Sequence, residues 1–415
     1  MTLIHRMVPA LLSLLVLAGC GGAPVSGSLE GPWRSEESRL GDTLVVQTLS
    51  GSTWGSARLV EDLRIGRLEG EEHEMFGQIG GLAVTPGGEI LVYDAQATVV
   101  RRYGADGGYR GTLGRAGSGP GEYQNVAGLG VLADGRIVLN DFGNGRFTLY
   151  TPDGQPAETW MIGVGGAEMR PLHPHPDGGV FLHTRRIWEG AGRQEQILVH
   201  LDARGMPGDT IVIPYTDYRP PALEVNTERT RIGMIVPFAA TRGWSVTASG
   251  HLVAMLGNRY AIDLHRGDGS ILRITRATAP VPVTAEERAA EEANIAARFR
   301  RQGVSDWRWD GPSIPATKPP IRWLHTGGDG TVWVRVAQPG AGVPEAERAE
   351  GDRTFVREPV VFDVFESDGR FLGQAHAPET IQFLPYPVLS RDRVWAVVRD
   401  EDGVNVVVRF RVVPG

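Results

Sequence analysis

The chain has one cysteine and one lysine among its 415 residues. The single thiol, Cys20, excludes an internal disulfide, so the stability of a folded body must come from burial of apolar side chains. Because Lys318 is the only lysine, nearly all positive charge is arginine. The formal net charge is −7, and this acidic balance excludes the basic footprint of a nucleic-acid-binding protein.

Catalytic and cofactor motifs are missing as well. The chain contains neither a Gly-x-Ser-x-Gly elbow nor a His-Glu-x-x-His metal motif. The glycine-rich stretch 114–123 lacks the Lys-Ser/Thr pair and the following helix of a phosphate-binding loop. No serine, histidine and aspartate stand in an order that defines a triad. The sequence therefore predicts no catalytic residue, no cofactor and no metal site.

The one long apolar run, residues 7–18, is shorter than the roughly 20 residues that span a bilayer. It follows Arg6 and leads into the letters LAGC, which resemble the lipobox of bacterial prolipoproteins. The resemblance implies a signal peptide over 1–19, a lipid on Cys20 and export to the cell envelope; an ordinary cleaved secretory signal is the alternative. Because Gly21 follows the cysteine where aspartate would favour inner-membrane retention, the resemblance favours the outer membrane, facing the periplasm or the surface.

Residues 20–42 are rich in glycine, serine, proline and charge, without an apolar period. We expect a flexible tether with an end-to-end distance of roughly 25 Å. It would hold a single folded domain, residues 43–415, clear of the lipid. The repeat pattern does not place the strand-like stretch 43–49. It is a candidate for a fifth, outermost strand of one sheet.

A strand–turn pattern repeats through the folded body. The 56 glycines and 28 prolines suit many short strands joined by tight turns. First hairpin turns at Gly88 and Gly135, and second turns at Gly107 and Gly154, share one offset of 47 residues. Weaker copies have first turns at Gly178, Gly250, Gly330 and Asp392. Six such four-stranded units predict an all-β fold, a six-bladed β-propeller.

The sixth copy ends after its third strand, at the C-terminus. Residues 57–65 precede the first copy as an outer strand precedes the second, with Gly66 standing where Gly114 stands. We therefore predict that 57–65 supplies the missing outer strand of the last blade. Such pairing covers strand edges that would otherwise invite aggregation.

The first two repeats contain YD…VVRRY…DGGYRGTLGRAGSGPGEY and ND…RFTLYTPDG. Over residues 57–160 they resemble the six-bladed β-propeller lipoproteins of bacteria that are related to NHL-repeat proteins. Beyond that segment the resemblance is architectural. It implies the fold and export, and it implies no activity because many members have none assigned.

Three insertions break the 47-residue period, in loops that we expect on one face around the channel mouth. They span 216–243, 281–321 and 339–357. The second predicts a helix over about 284–301, because Thr284 and Glu287 form a capping-box pattern. This helix is either a lid over the channel or an appendage on the rim. Long loops on one face favour a binding surface. The equal alternative is that they are surface insertions without a function.

Alignment of the repeats gives candidate ligand-binding residues at the channel mouth. Equivalent second-strand positions carry Tyr93, Asn140, His183, Met255, Arg335 and Val397. Asp94 and Asp141 end second strands and are candidates too, although in NHL-like repeats such aspartates tie down the adjacent loop. His173 and His175 have the spacing of two metal ligands on a strand, but they precede a tight turn and are expected near the opposite face, away from His183.

The leading hypothesis is a lipid-anchored, non-catalytic propeller whose loop-rich face binds a protein, peptide or glycan of the cell envelope. It contacts the membrane through Cys20 and has no nucleic-acid partner. The alternative is a metal-dependent hydrolase or lyase, because related propellers that resemble lactonases and amidating lyases hold a metal in the channel. Stoichiometric bound metal would distinguish the second class from the first.

Overall fold

The computed structural model describes residues 28–161, 172–187, 194–226, 231–344, 356–378 and 380–415. Cys20 and the predicted signal peptide therefore lie outside the described residues. Within those ranges the regular structure is almost entirely β-strand, with one α-helix. No helix in this part of the chain has the length and apolarity needed to cross a membrane.

Three strands precede the repeats: β1 (Arg34–Leu40), β2 (Thr43–Ser50) and β3 (Ser56–Ile65). β1 and β2 form a hairpin, and β2 lies parallel to the outer strand of the fourth unit. The stretch 43–49 is therefore a fifth strand of that sheet. The predicted tether 20–42 is wrong for β1. An edge strand that is exposed along most of its length needs no apolar period, so the sequence of β1 is similar to that of a linker.

Units one to three follow in chain order. Unit one contains β4 (Ile79–Val84), β5 (Ile90–Asp94), β6 (Val99–Tyr103) and β7 (Tyr109–Leu113). After the short strands β8 (Arg115–Ala116) and β9 (Glu122–Tyr123), unit two contains β10 (Val126–Val131), β11 (Ile137–Asp141), β12 (Arg146–Tyr150) and β13 (Pro156–Met161). Unit three contains β14 (His173–Pro174), β15 (Val180–Ile187), β16 (Gln194–Leu201) and β17 (Pro207–Val212). Single-turn 3-10 helices lie at Glu72–Glu74 and Phe142–Asn144.

The later units carry the insertions. After the hairpin β18 (Ala222–Asn226) and β19 (Arg231–Ile235), unit four contains β20 (Arg242–Val246), β21 (Leu252–Leu256), β22 (Ala261–His265) and β23 (Ile271–Arg276). The helix α1 (Ala285–Arg301) precedes unit five, which contains β24 (Ile321–Thr326), β25 (Val332–Val336), the inserted pair β26 (Ala341–Gly342) and β27 (Val356–Arg357), β28 (Val360–Phe365) and β29 (Phe371–Ala377). Unit six contains β30 (Val388–Leu389), β31 (Arg393–Arg399) and β32 (Asn405–Pro414).

The first strands of the units contact one another around a ring. β4 contacts both β10 and β30, β10 contacts β14, and β20 contacts β24. The His173 ring lies 5.2 Å from the Trp244 ring and joins units three and four. The Gly328 amide donates to the Leu389 carbonyl and joins units five and six. Small antiparallel sheets arranged in this radial order define a β-propeller, so the predicted all-β propeller fold is confirmed.

The N-terminal strand β3 completes unit six. It pairs antiparallel with β32, with Val60 opposite Arg411, and parallel with β29 on its other edge. The prediction that residues 57–65 supply the outer strand of the last unit is therefore confirmed. Because β3 also pairs with β29, units five and six form one eight-stranded sheet.

The apolar core lies between neighbouring units. One cluster joins Tyr93 of unit one to Leu129 of unit two, and another joins Ile262 of unit four to Val334 of unit five. Second strands such as β5 are buried on both faces, so their sequences are largely apolar, as in residues 90–93. Packing between units, as well as pairing within them, holds the ring together.

The insertions form a layer with a small core of its own. Leu223 and Met234 of the β18–β19 hairpin share this core with Ile295 and Phe299 of α1. The helix also contacts β26 and β27. We call the β18–β19 hairpin, α1 and β26–β27 the cap. The predicted helix is confirmed, including the capping box at Thr284, and it packs as a fixed member of the cap.

Candidate binding site at the ring centre

Aromatic and imidazole rings gather where the first strands of units three to six meet. The inner cluster, as we name it, contains His173, His183, Trp244, Trp323, His325, Arg335, Phe383 and Tyr386. The Trp244 ring lies 5.0 Å from His183 and 5.2 Å from His173. The His325 ring lies 5.1 Å from Tyr386 and 6.2 Å from His173. The rings therefore form one continuous surface across four units.

Arg335 adds a cation to the inner cluster. Its guanidinium carbon lies 5.0 Å from the centre of the Phe383 ring, and it stands opposite Trp323 in the β24–β25 ladder. Burial, together with repulsion from Arg322, lowers the pKa of Arg335. An arginine pKa begins above 12, so the side chain stays protonated at neutral pH. The cluster thus offers one positive charge among aromatic faces.

His325 is neutral at the same pH. Its side chain keeps some contact with solvent, but protein surrounds the ring. This burial disfavours the charged form and lowers the pKa of His325 to about 4. Nδ1 lies 3.1 Å from the Ser245 hydroxyl oxygen. The imidazole therefore acts as a polar aromatic wall and not as a second cation.

A cavity of about 440 Å³ lies beside the inner cluster and is lined in part by Arg185, Arg219 and Arg242. On β15, Arg185 stands two residues from His183. On β20, Arg242 stands two residues from Trp244. Side chains two apart share one face of a strand, about 7 Å from each other. The arginine-lined cavity and the inner cluster are therefore neighbours, at the strand ends that carry the first insertion.

Backbone carbonyls of the first insertion hold two of these arginines. Arg242 Nη1 donates to the Thr216 carbonyl at 3.1 Å. Arg219 Nη1 donates to the same carbonyl and to that of Tyr218. These contacts fix the guanidinium groups of Arg219 and Arg242 at the wall of the cavity.

A second cavity, of about 670 Å³, lies between units four and five. Its charged groups are engaged with each other: Arg276 lies 2.5 Å from the buried Asp363, which also accepts a hydrogen bond from Gln374 at 2.8 Å. Tyr260 donates to the same carboxylate, and burial raises the pKa of Tyr260. This network holds the two units together. We take the first cavity as the candidate binding site because it adjoins the aromatic rings of the inner cluster.

The predicted residues Asp94 and Asp141 tie down loops. Asp94 accepts hydrogen bonds from the amides of Gly77 and Gln78, both at 3.1 Å, and pairs with the buried Arg101 at 3.0 Å. Burial alone would raise the pKa of Asp94, but these partners outweigh it and the pKa lies below its ordinary value. Asp141 is buried and accepts from amides of the loop before β10. The geometry favours the loop-tying role.

Of the remaining predicted residues, two belong to the inner cluster and two do not. His183 and Arg335 contribute to it. Tyr93 is buried between units one and two, where its hydroxyl oxygen accepts from the Val126 amide at 3.4 Å. Asn140 is also buried, and its Oδ1 has no hydrogen-bond partner among the described residues. In units three and five the predicted positions therefore lie in the candidate site, and their role in binding stays a prediction. In units one and two the prediction selected interior packing positions.

The two histidines of the LHPHPD segment lie in different surroundings. His173 contacts Trp244, which also contacts His183, so the expectation that His173 lies away from His183 is wrong. The first strand faces the ring centre along its length, which brings the two side chains to one tryptophan. His175 lies in the first hairpin turn of unit three, beside Asp177.

Several members of the inner cluster were missed because the repeats were aligned on their second strands. Trp244 and His325 lie on first strands, five or six residues before the turn glycines Gly250 and Gly330. Units one and two carry Leu82 and Leu129 there, each followed by a small residue. A comparison of first strands would have found both. Phe383 and Tyr386 lie in the loop before β30, where no repeat position marks them.

No family model and no curated protein matches this chain. A solved protein of Bacteroides fragilis described as exported is 12% identical, with a TM-score of 0.44 over 87% of this chain and 99% of its own. A DUF4221 family member from Bacteroides vulgatus is 8% identical, with the same TM-score over 87% and 100%. Virginiamycin B lyase from Staphylococcus aureus is 10% identical, with a TM-score of 0.35 over 84% and 98%. These similarities concern architecture alone, and the β-propeller assignment rests on the strand order described above.

Proposed function

We propose that this protein is an exported, lipid-anchored β-propeller that binds a protein, peptide or glycan of the cell envelope at its cap-bearing face. The anchor is assigned to Cys20 from the LAGC sequence and the apolar run before it. The observation that carries the binding role is the junction of the inner cluster with the arginine-lined cavity. Pockets that combine aromatic walls with a few placed polar groups are typical binding sites.

The composition of this site selects the chemistry of the ligand. Arg219 presents a guanidinium group at the cavity wall, with Arg185 and Arg242 in the same lining, and guanidinium groups bind carboxylates through paired hydrogen bonds. Trp244, two residues from Arg242 on β20, supplies an aromatic face of the inner cluster beside the cavity. A ligand that carries acidic groups beside a ring or an apolar side chain matches both parts. We therefore favour an acidic peptide segment or an acidic glycan.

Replacement of Arg219 by alanine is expected to weaken binding of an acidic ligand by about tenfold or more, because a hydrogen bond to a charged group contributes about 1.5–3 kcal/mol. The measurement is a titration of the full chain with matched acidic and neutral peptides and glycans. Arg300→Ala, at an exposed position near the end of α1, is the control and should leave binding unchanged. Equal binding of neutral and acidic ligands, or no effect of Arg219→Ala, would contradict the proposal.

The alternative of a metal-dependent hydrolase or lyase gains no support from the inner cluster. Among the described residues, the histidines of that cluster belong to no group that brings three ligand atoms within reach of one ion. The cluster presents ring faces and one guanidinium, which suit recognition. No second function is therefore proposed for the ring centre.

A further inference from the structure

Two imidazoles and a carboxylate meet on unit three, at the strand ends opposite the insertions. His175 and Asp177 lie in the turn between β14 and β15, and His200 lies near the end of β16. His175 Nδ1 is 2.8 Å from Asp177 Oδ1, and His200 Nε2 is 3.0 Å from Asp177 Oδ2. One ligand atom from each residue lies within 4.8 Å of the others, and no other described residues form such a group.

The surrounding residues hold this trio in place. The Gly179 amide donates to Asp177 at 2.9 Å and fixes the carboxylate. The buried Phe181 packs against both imidazoles, with centroid distances of 5.3 Å to His175 and 5.5 Å to His200. The first hairpin turn of unit four packs against one side of the trio. It approaches so closely that a Cβ added at Gly250 would lie 2.9 Å from the His175 ring. The donors are therefore arranged before any ion arrives.

One nitrogen of the trio makes no hydrogen bond. His200 Nε2 is buried and lies 3.0 Å from Asp177 Oδ2, but the angle between the two groups is unsuitable for a hydrogen bond. A buried polar nitrogen without a hydrogen bond is costly. A cation between the nitrogen and the carboxylate would satisfy both.

We propose that His175, Asp177 and His200 bind one divalent transition-metal ion, with zinc as the expected ion. Two imidazole nitrogens and one carboxylate oxygen form a donor set that zinc accepts, with water completing the shell. Ligand atoms at zinc distances in a tetrahedral arrangement are about 3.3 Å apart. The two imidazoles lie 2.8 and 3.0 Å from opposite oxygens of the Asp177 carboxylate, and the three ligand atoms lie within 4.8 Å of one another, so side-chain rotation would bring them to these distances. Bound metal would link the first hairpin turn of unit three to its third strand. The trio shares no residue with the inner cluster, so zinc held here is distinct from the channel metal that the enzyme alternative requires.

The test is a titration of the untagged full chain with zinc after treatment with a chelator. We expect one equivalent to bind and to raise the melting temperature. His200→Ala and the near-isosteric Asp177→Asn should each weaken binding by about a hundredfold or more, since even changes outside the ligand shell cost 10–100-fold. His376→Ala, which removes an exposed histidine on β29, is the matched control and should bind as the parent does.

Cobalt(II) gives an independent readout of coordination. The parent and His376→Ala should develop visible absorption bands with one equivalent of cobalt, and His200→Ala and Asp177→Asn should not. Circular dichroism of the metal-free variants shows whether they fold. Folded variants that bind zinc as tightly as the parent would overturn the proposal, and so would a parent chain that binds no stoichiometric metal.

Discussion

Replacement of Lys318 by methionine is expected to lower the free energy of unfolding by about 3–5 kcal/mol, the cost of leaving buried charges without their partner. The ammonium of Lys318 is fully buried, 2.6 Å from Glu287 and 3.2 Å from Glu358. Glu287 belongs to α1, and Glu358 precedes β28. The only lysine of the chain therefore joins the cap to unit five. Its loss leaves the buried Glu287 without a counter-ion, whereas Glu358 keeps its pair with Arg322 at 2.9 Å. Chemical unfolding of the two proteins measures the difference.

Arg391→Met is the matched control for this prediction. Arg391 pairs with Glu366 at 2.7 Å, but its side chain is 51% exposed. Exposed pairs contribute about 0–1 kcal/mol, so this variant should unfold almost as the parent does. The double variant Lys318→Met with Glu287→Gln should recover part of the loss, because one stranded charge is removed. A loss for Lys318→Met no larger than that for Arg391→Met would show that the buried pair does not anchor the cap.

Acid should destabilise the protein through His325, and His325→Phe should remove that component. The pKa of His325 is about 4 in the folded protein, against about 6.5 in an unfolded chain. Between these values the unfolded state binds the proton and the folded state does not, so stability falls as the pH drops through this window. From pH 7.5 to pH 5, the two pKa values give a loss of about 2 kcal/mol from this residue.

The measurement is the free energy of unfolding at both pH values for the parent and for His325→Phe. The variant loses the Ser245 contact and is expected to start from a lower stability at pH 7.5, so the change between pH values is the quantity compared. His376→Phe, at an exposed position, should keep the parental pH dependence. If the pH dependence of His325→Phe equals that of the parent, the pKa of His325 is the same in the folded and unfolded protein, and the prediction is wrong.

The propeller could be predicted from sequence because its signals are local and repeated. Turn glycines such as Gly88 and Gly135 adopt positive φ and mark each hairpin at a fixed offset. The helix α1 was also predictable, since its cap at Thr284 and its charge gradient are encoded within one segment. Closure by β3 followed from counting strands, because a propeller that ends one strand short must find it elsewhere.

The binding site was only partly predictable, because its residues come together through packing between units. His183 and Arg335 occupied aligned repeat positions, whereas Phe383 lies in a loop that has no repeat register. The proposed metal ligand His200 stands 25 residues from His175 and meets it only through the β15–β16 pairing. The hairpin strand β1 was mistaken for a linker because it buries little apolar surface. A single sequence does not show which residues of different sheets come into contact.

Ring closure positions the inner cluster, the cap and the arginine-lined cavity, and it can be tested by a cross-link between the two ends of the folded chain. Val60 and Arg411 stand opposite each other in the β3–β32 ladder. With Cys20 replaced by serine, Val60→Cys with Arg411→Cys should form an intramolecular disulfide under mild oxidation. Val60→Cys with Asn405→Cys, displaced by about 20 Å along β32, should not. Cross-linking of the second pair and not of the first would contradict the closed ring.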